Sequence, residues 1–292
     1  MNKLIRFNKP FFTPLDNSFF EDVNQIKASL CGDGKYTSKV HNWLESHCQC
    51  KKALLTHSCT AALEMSSILL NIKKGDEVLM PSYTFVSTAN AVVLRGGIPR
   101  FVDIRMDTLN IDEGLIEKAI NKKTKAIFPV HYAGISCEMD KINALAKRNN
   151  LFVVEDAAQA ILSTYRDKPL GSLGDLGAFS FHETKNIISG EGGALVINNE
   201  KFINRAEIIR EKGTNRSLFL RGSVDKYSWC DIGSSYLPSD LISAFLLKQL
   251  NIGKTITNER LMIWKRYHLM LKPIEDQGLI RRPFVPDACK HN

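Results

Sequence analysis

Three side chains could act together on one small molecule: Asp156, Gln159 and Lys185. The run Leu151-Phe152-Val153-Val154-Glu155-Asp156 reads as an apolar strand whose carboxyl end delivers Asp156 to a sheet edge, where open α/β folds place their ligands. A buried carboxylate there can hold a proton on an aromatic ring nitrogen. It can also cap a helix that starts at Ala157. Gln159, three residues on, is placed to meet an oxygen or the face of the same ring. Lys185 follows in Phe179-Ser180-Phe181-His182-Glu183-Thr184-Lys185-Asn186, beyond another apolar run and before Gly190-Glu191-Gly192-Gly193. A lysine in that setting loses part of its hydration, which favours the neutral amine that attacks an aldehyde. Ser180 suits a phosphate oxygen. His182 could be read as a base, but a positioning or packing role fits better because the lysine can carry the proton itself.

An anionic group needs a cradle, and Thr56-His57-Ser58-Cys59-Thr60-Ala61-Ala62-Leu63 offers one between a strand and its helix. Small residues let the amides of Thr60 and Ala61 approach a phosphate at the positive end of the helix, although Ser and Thr at such a place also serve as plain caps. The loop Pro81-Ser82-Tyr83-Thr84-Phe85-Val86-Ser87-Thr88 puts Phe85 where it could stack on a ring or pack in the core.

The elements that must position these residues follow from the pattern of apolar runs. Strands are expected at Ala53–Thr56, Glu77–Met80, Pro99–Asp103, Ala126–Val130 and Leu151–Glu155, separated by helices at Thr60–Leu70, Val86–Arg95, Glu113–Ile120 and Met139–Arg148. That alternation is the mark of an α/β domain with a mostly parallel sheet. After residue 156 the rhythm changes to a Gly-rich passage with strands at Gly177–His182 and Ala194–Ile197, then a helix at Lys201–Arg210. The stretch 213–235 reads as a long loop, which in a compact domain is usually functional. Pro238-Ser239-Asp240 starts a long helix with apolar residues at Leu241, Phe245, Ile252, Ile256, Trp264, Tyr267 and Leu271, which Gly253 can bend or interrupt. Residues 281–292 show no clear element. The domain reading is 1–238, a large domain with an N-terminal arm, and 239–292, the long helix and the start of a small domain.

Bulk properties bound the function. With 292 residues and 44% hydrophobic content the chain can bury a substantial core. No run approaches the roughly 20 apolar residues of a membrane span, and Met1–Arg6 is not followed by an apolar signal core, so a cytoplasmic protein is expected. Seven scattered cysteines suit reduced thiols. His47, Cys48 and Cys50 lack a second pair at zinc-site spacing, so no metal is expected. The net charge of +8 is spread along the chain and interleaved with acids, which argues against nucleic acid. A basic surface would still favour a diphosphate-bearing substrate.

Taken together, the Asp-x-x-Gln, Lys and Gly-Glu-Gly-Gly segments resemble the DegT/DnrJ/StrS family of nucleotide-sugar aminotransferases, from Phe7-Asn8-Lys9-Pro10 to about Asp287. The resemblance implies the aspartate aminotransferase-like fold (fold type I) with pyridoxal 5'-phosphate as cofactor. It implies Lys185 as the Schiff-base lysine and Asp156 as the partner of the pyridine nitrogen. Gln159 and Phe85 would lie against the ring, with Thr60, Ala61 and Ser180 at the phosphate. Cys31-Gly32-Asp33-Gly34, Gly213-Thr214-Asn215-Arg216-Ser217 and Asp231-Ile232-Gly233-Ser234-Ser235-Tyr236-Leu237 look like one branch of that family. Its members move an amino group from L-glutamate to dTDP-4-dehydro-6-deoxy-D-glucose, giving dTDP-4-amino-4,6-dideoxy-D-galactose for enterobacterial common antigen. A homodimer with shared active sites is implied as well.

Two departures from the family pattern bear on this. Where many members send an asparagine to the neighbouring subunit's phosphate, the chain has Leu237, and Asn215 and Arg216 are the candidates to contact phosphate or substrate anions in its place. Family members also continue past Asn292 into a small C-terminal domain. A shortened chain is therefore expected, with an incomplete small domain and poor cofactor binding or slow turnover. The competing readings are a transaminase for another 3- or 4-keto nucleotide sugar and a non-catalytic remnant of the fold. A dehydratase cousin with histidine in place of the lysine is disfavoured by Lys185.

Overall fold

The protein is described by a computed structural model covering residues 9–12, 19, 21 and 30–292. Met1–Arg6, Phe7, Asn8 and most of the expected N-terminal arm lie outside the described residues.

The first described helix, α1 (Lys35–Cys48), leads into β1 (Lys52–Thr56). Four units of the expected alternation follow: α2 (Cys59–Leu69), β2 (Glu77–Pro81), α3 (Val86–Val93), β3 (Ile98–Val102), α4 (Glu113–Ala119), β4 (Thr124–Ile127), α5 (Met139–Arg148) and β5 (Phe152–Asp156). A small ribbon, β6 (Thr164–Tyr165) and β7 (Lys168–Pro169), precedes β8 (Leu176–Ser180), β9 (Gly193–Ile197) and α6 (Ile203–Arg210). The main sheet runs β1-β9-β8-β5-β4-β2-β3. Strand β9 pairs antiparallel with both neighbours, and the remaining pairings are parallel. This is the α/β fold of a mostly parallel sheet expected from the alternating pattern. β5 lies at its centre, so Asp156 emerges mid-sheet.

Near-continuous apolar strands are what a sheet covered on both faces requires. Successive residues alternate between two cores. Ala53, Leu55, Val153, Ala194 and Val196 face one cluster with α1 and α5. Leu54, Val154, Leu195 and Ile197 face the other with α2 and α3. Helix α2 is hydrophobic nearly all round because it is buried on most sides, with Ala61, Ala62, Leu63 and Met65 each at most 1% exposed.

Several expectations need correction. The stretch 213–235 is not wholly loop: α7 (Arg216–Leu220) forms within it, closed by Asn215, whose side chain accepts from the Ser228 amide and donates to the Lys226 carbonyl. The long helix is two helices, α8 (Asp240–Asn251) and α9 (Gly253–Asp276), separated at Ile252. Buried Gly253 packs its backbone close to the side chains of Leu162 and Ile187 at this break. Along α9 burial ends near Thr257, and Tyr267 is exposed. Residues 281–292 do carry an element, β10 (Cys289–Lys290), which pairs antiparallel with β6. Helix α8 is stitched to α1 through buried Asp240, which accepts from the Thr37 amide at 2.7 Å and hydroxyl at 2.8 Å.

No disulfide joins cysteines among the described residues. Cys48 is buried, Cys50 donates to the Lys52 carbonyl, and His47 stacks on Trp43. Among the described residues no helix is long and apolar enough to cross a membrane.

Candidate active site

Parallel strands end at one edge of the sheet, and their following loops meet there. β5 supplies Asp156, β8 supplies Ser180, β1 leads to Ser58 and β2 leads to the Phe85 loop. Reversed β9 starts at this edge, so Gly192 and Gly193 join them. These segments enclose a cavity of about 400 Å³ walled by Ser58, Thr60, Phe85, Asp156, Gln159, Ser180 and Lys185, among others. Its size falls in the range of small-molecule sites.

Asp156 is 4% exposed, and its carboxylate is held by two donors. Thr88 gives its hydroxyl to Oδ2 at 2.7 Å, and the Ala158 amide gives its proton to Oδ1 at 3.1 Å. No helix begins at Ala157, so the capping alternative does not apply; the chain turns instead, and the aspartate closes that turn. Burial pushes the Asp156 carboxyl above its ordinary range, against the pull of the Thr88 and Ala158 hydrogen bonds and of Lys185 and His131. A carboxylate buried so deeply is suited to a cationic partner that enters the cavity.

Behind Asp156 lies a second buried acid. Glu155 accepts from the amides of Gly171, Leu173 and Gly174 at 2.6–2.8 Å, and its Oε2 lies 2.8 Å from His131 Nε2. The Cys137 amide donates to His131 Nδ1, so Nε2 carries the proton that faces Glu155. The His131 amide in turn donates to the Asp156 carbonyl at 3.0 Å, which fixes the backbone from which the catalytic-side carboxylate projects.

At the other end of the cavity, Ser58 caps α2. Its hydroxyl accepts from the Ala61 amide at 3.1 Å, so that amide is already occupied. Thr60 lines the cavity, and its hydroxyl shares a 2.7 Å hydrogen bond with Ser87. Gly193 lies so close to the Ser58-Cys59 peptide that a Cβ would overlap it. Buried Ser180 faces the same end.

Lys185 is half-buried on the cavity wall, so its removal from water is partial. His182 sits in a local network, with Nδ1 2.9 Å from the Thr184 hydroxyl and accepting from the Thr184 amide, while Nε2 lies 3.6 Å from Glu191. That is a positioning arrangement for the turn that carries the lysine. Gln159 accepts from the Ala133 amide at 2.6 Å, and Phe85 is 72% exposed at the rim.

The structure thus brings Asp156, Gln159, Ser180, Lys185, Thr60 and Phe85 around one cavity, with Ala61 just behind it. It does not bring Asn215 and Arg216 there. Asn215 ties its own loop, and Arg216 pairs with Glu211 at 3.0 Å. Sequence reasoning missed Thr88, Ser87, Glu155 and His131. Thr88 stands three residues after Phe85 in the same loop and first helical turn, a spacing that could have been read as pointing toward the cavity.

A phosphorylated pyridine aldehyde fits this donor set. The cavity offers an amine, a buried carboxylate short of positive charge, and hydroxyl groups at a helix N-terminus.

Comparison with known proteins agrees with the geometry. Residues 14–288 match the DegT/DnrJ/EryC1/StrS aminotransferase family. The spore coat polysaccharide biosynthesis protein SpsC of Bacillus subtilis (strain 168) is 39% identical over 289 residues, covering 97% of this chain and 73% of that protein. GDP-perosamine synthase of Caulobacter vibrioides is 36% identical over 217 residues, 74% of this chain and 57% of that enzyme. Among solved structures, the PLP-form of a sugar aminotransferase, Spr1654 from Streptococcus pneumoniae, superposes with a TM-score of 0.82 at 27% identity, covering 92% of this chain and 71% of that one.

Proposed function

We propose, from the premise that the chain belongs to the DegT/DnrJ/EryC1/StrS aminotransferase family, that it transfers the amino group of L-glutamate to the keto carbon of a nucleotide-linked 4-keto-6-deoxy sugar. As a family member it is a pyridoxal-phosphate-dependent sugar aminotransferase. The observation that carries the reading is the shared cavity of Lys185 and Asp156, with the Ser58-capped helix at its far end.

In this reading Lys185 would hold the cofactor covalently, and its amine would carry protons at the reacting carbon. Asp156, oriented by Thr88 and Ala158, keeps the ring nitrogen protonated. Bound pyridoxal phosphate supplies an electron sink for the carbon that loses or gains the amine. Thr60 and Ser180 take phosphate oxygens, with the amide-rich start of α2 behind them. The Ala61 amide serves this end indirectly, by fixing the Ser58 hydroxyl that caps the helix. Gln159 and Phe85 bound the ring. His182 keeps the Lys185 turn in place.

The sugar we assign is dTDP-4-dehydro-6-deoxy-D-glucose, giving dTDP-4-amino-4,6-dideoxy-D-galactose, supported by the Gly-Thr-Asn-Arg and Asp-Ile-Gly-Ser-Ser segments. A second reading, a GDP-linked keto sugar, is favoured by the likeness to GDP-perosamine synthase. A homodimer is supported by the exposed apolar side chains Val86, Leu94, Ile98 and Phe101 on α3 and the edge strand β3.

Borohydride reduction of protein incubated with pyridoxal phosphate, followed by peptide mass spectrometry, tests the chemistry. One pyridoxyl group on Lys185 is expected, and modification spread over surface lysines would refute the assignment. Assay of dTDP- and GDP-linked keto sugars with glutamate decides between the two sugars.

A further inference from the structure

Gln159 is held at both ends by segments far from it in the chain. At its tip, Oε1 accepts from the Ala133 amide at 2.6 Å, so the hydrogens on Nε2 are the part left for the cavity that Gln159 lines. At its backbone, the Gln159 carbonyl accepts from Asn292 Nδ2 at 3.0 Å, and the same nitrogen donates to the Ile161 carbonyl at 2.6 Å. Both hydrogens of the Asn292 amide thus serve the turn that follows Asp156.

The loop that meets the tip has an unusual backbone. Ala133 and Gly134 both have positive φ, 54° and 74°. For alanine the left-handed region is unfavourable and persists only where neighbours over-determine it. They do so here from two sides. Buried Asn110 donates to the Ile135 carbonyl at 2.8 Å and accepts from the Tyr132 amide at 3.1 Å. From the other side, buried Cys289 accepts from the Ser136 amide at 3.3 Å and donates to the Gly134 carbonyl. A Cβ on Gly134 would overlap Asn292 Oδ1, so the asparagine lies directly against this loop as well.

Cys289 belongs to β10, which its pairing with β6 fixes in place, and the Arg166 amide donates to the Ala288 carbonyl at 2.7 Å. The segment 288–292 therefore bridges two pieces: the loop 133–136, which holds the tip of Gln159, and the turn 157–161, which carries its backbone. A glutamine loses much rotamer freedom on ordering, so holding it in one place calls for anchors at both ends.

Resting on the functional reading above, we propose that Asn292 is a positioning residue for Gln159, joining the turn to the loop so that the glutamine presents its amide to the cofactor ring beside Lys185. Asn292 is not among the described residues that wall the cavity of Asp156 and Ser180, so its effect passes through Gln159.

The test compares the full chain with Asn292→Asp, Asn292→Ala, Gln159→Ala and the double variant Asn292→Asp/Gln159→Ala. Aspartate keeps the size of asparagine but has no hydrogens for the two carbonyls, so it separates hydrogen bonding from packing. In cofactor-free protein, residue-by-residue amide exchange should show the Ala133 amide exchanging about ten-fold faster in Asn292→Asp, as in Gln159→Ala. The Asp156 amide, which donates to the Pro129 carbonyl, should exchange as in wild type. Titration with pyridoxal phosphate should give an affinity about three- to ten-fold weaker in Asn292→Asp, the worth of one hydrogen bond, and no further loss when that change is added to Gln159→Ala. Asn292→Ala should match Asn292→Asp. A packing role would leave Asn292→Asp like wild type, and a general loosening would make the two losses add; either result overturns the proposal, as does unchanged exchange at Ala133. If wild-type protein takes up no pyridoxal phosphate, the functional reading falls, while exchange at Ala133 still decides whether Asn292 sets the place of Gln159.

Discussion

Thr88 Oγ1 donates to Asp156 Oδ2 at 2.7 Å, and the Thr84 hydroxyl stands 2.8 Å behind it. Thr88 sits in the first turn of α3, sixty-eight residues before the aspartate in the chain, and reaches it across the carboxyl edge of the sheet, while Thr84 stands just ahead of the helix and supports Thr88. Their relay sets the rotamer of the buried carboxylate. Oδ1 accepts from the Ala158 amide and keeps lone-pair capacity for a donor on an entering group.

Replacing Thr88 with valine keeps the shape and removes the donor. A buried carboxylate that loses one of two hydrogen bonds should cost about 1.5–3 kcal/mol, the range for bonds to charged groups. Urea unfolding of the cofactor-free variant should show that loss, and its retention of pyridoxal phosphate on gel filtration should fall. A variant as stable and as well loaded as wild type would show that Thr88 does not hold Asp156.

Asp156 itself should trade stability for cofactor binding. Its folded carboxyl titrates above the ordinary 3.8, chiefly through burial. Folding therefore favours the protonated form: the contribution to stability is fully present below the ordinary carboxylate range and is lost as pH rises through the displaced value. Asp156→Asn has no such charge, so the cofactor-free variant should be at least as stable as wild type at pH 7.5. The difference should shrink or reverse as the pH is lowered toward 4. Pyridoxal phosphate affinity should drop about ten-fold or more, because the ring nitrogen loses its ionic partner. Thermal unfolding across pH and equilibrium dialysis check the two halves separately.

Two strand ends were readable because the apolar run stops at a residue that breaks its pattern, Thr56 before His57-Ser58 and Asp156 before Ala157-Ala158, whereas the runs read to Val130 and His182 leave the sheet earlier, at Ile127 and Ser180. Lys185 was readable from its place between an apolar run and four residues containing three glycines. What could not be read is what depends on contacts between distant segments. Glu155 looks like one more strand residue, yet it is the acceptor for three amides of a loop sixteen to nineteen residues away. Asn215 and Arg216 have the types of anion ligands, but Lys226, Ser228 and Glu211 satisfy them first.

His41 should make stability sensitive to mild acid. Its Nε2 accepts from the Leu55 amide at 2.9 Å, and its pKa lies well below 6.5 through burial and the nearby charges of Arg210 and Lys52. The unfolded chain protonates this imidazole near 6.5 while the folded one does not. Stability is therefore full above that value and is lost as pH falls through the window below it. In His41→Gln the side-chain oxygen can still accept from Leu55, and nothing titrates. Denaturation at pH 7.5 should differ little between the two proteins, whereas at pH 5 the variant should be the more stable. Parallel curves for both would show that His41 does not control the acid limb.

Gly193 offers a test of how closely β9 must approach the phosphate end. The residue pairs with Thr56 in β1 and with Ser180 in β8, so the sheet fixes its position from both sides. A Cβ there would strike the carbonyl carbon of Ser58 and the amide nitrogen of Cys59, both backbone atoms that cannot swing aside. Either the strand or the first turn of α2 has to move. Overpacking of this kind costs about 1–3 kcal/mol, so Gly193→Ala should fold with reduced stability. The shift falls on the Ser58 cap and its 3.1 Å bond from Ala61, so phosphate-end binding should suffer more than covalent chemistry at Lys185. Pyridoxal, which lacks the phosphate, should react with Lys185 in the variant about as readily as in wild type, while the advantage of pyridoxal phosphate over pyridoxal should shrink. Equal loss for both aldehydes would mean that β9 supports the lysine rather than the cradle.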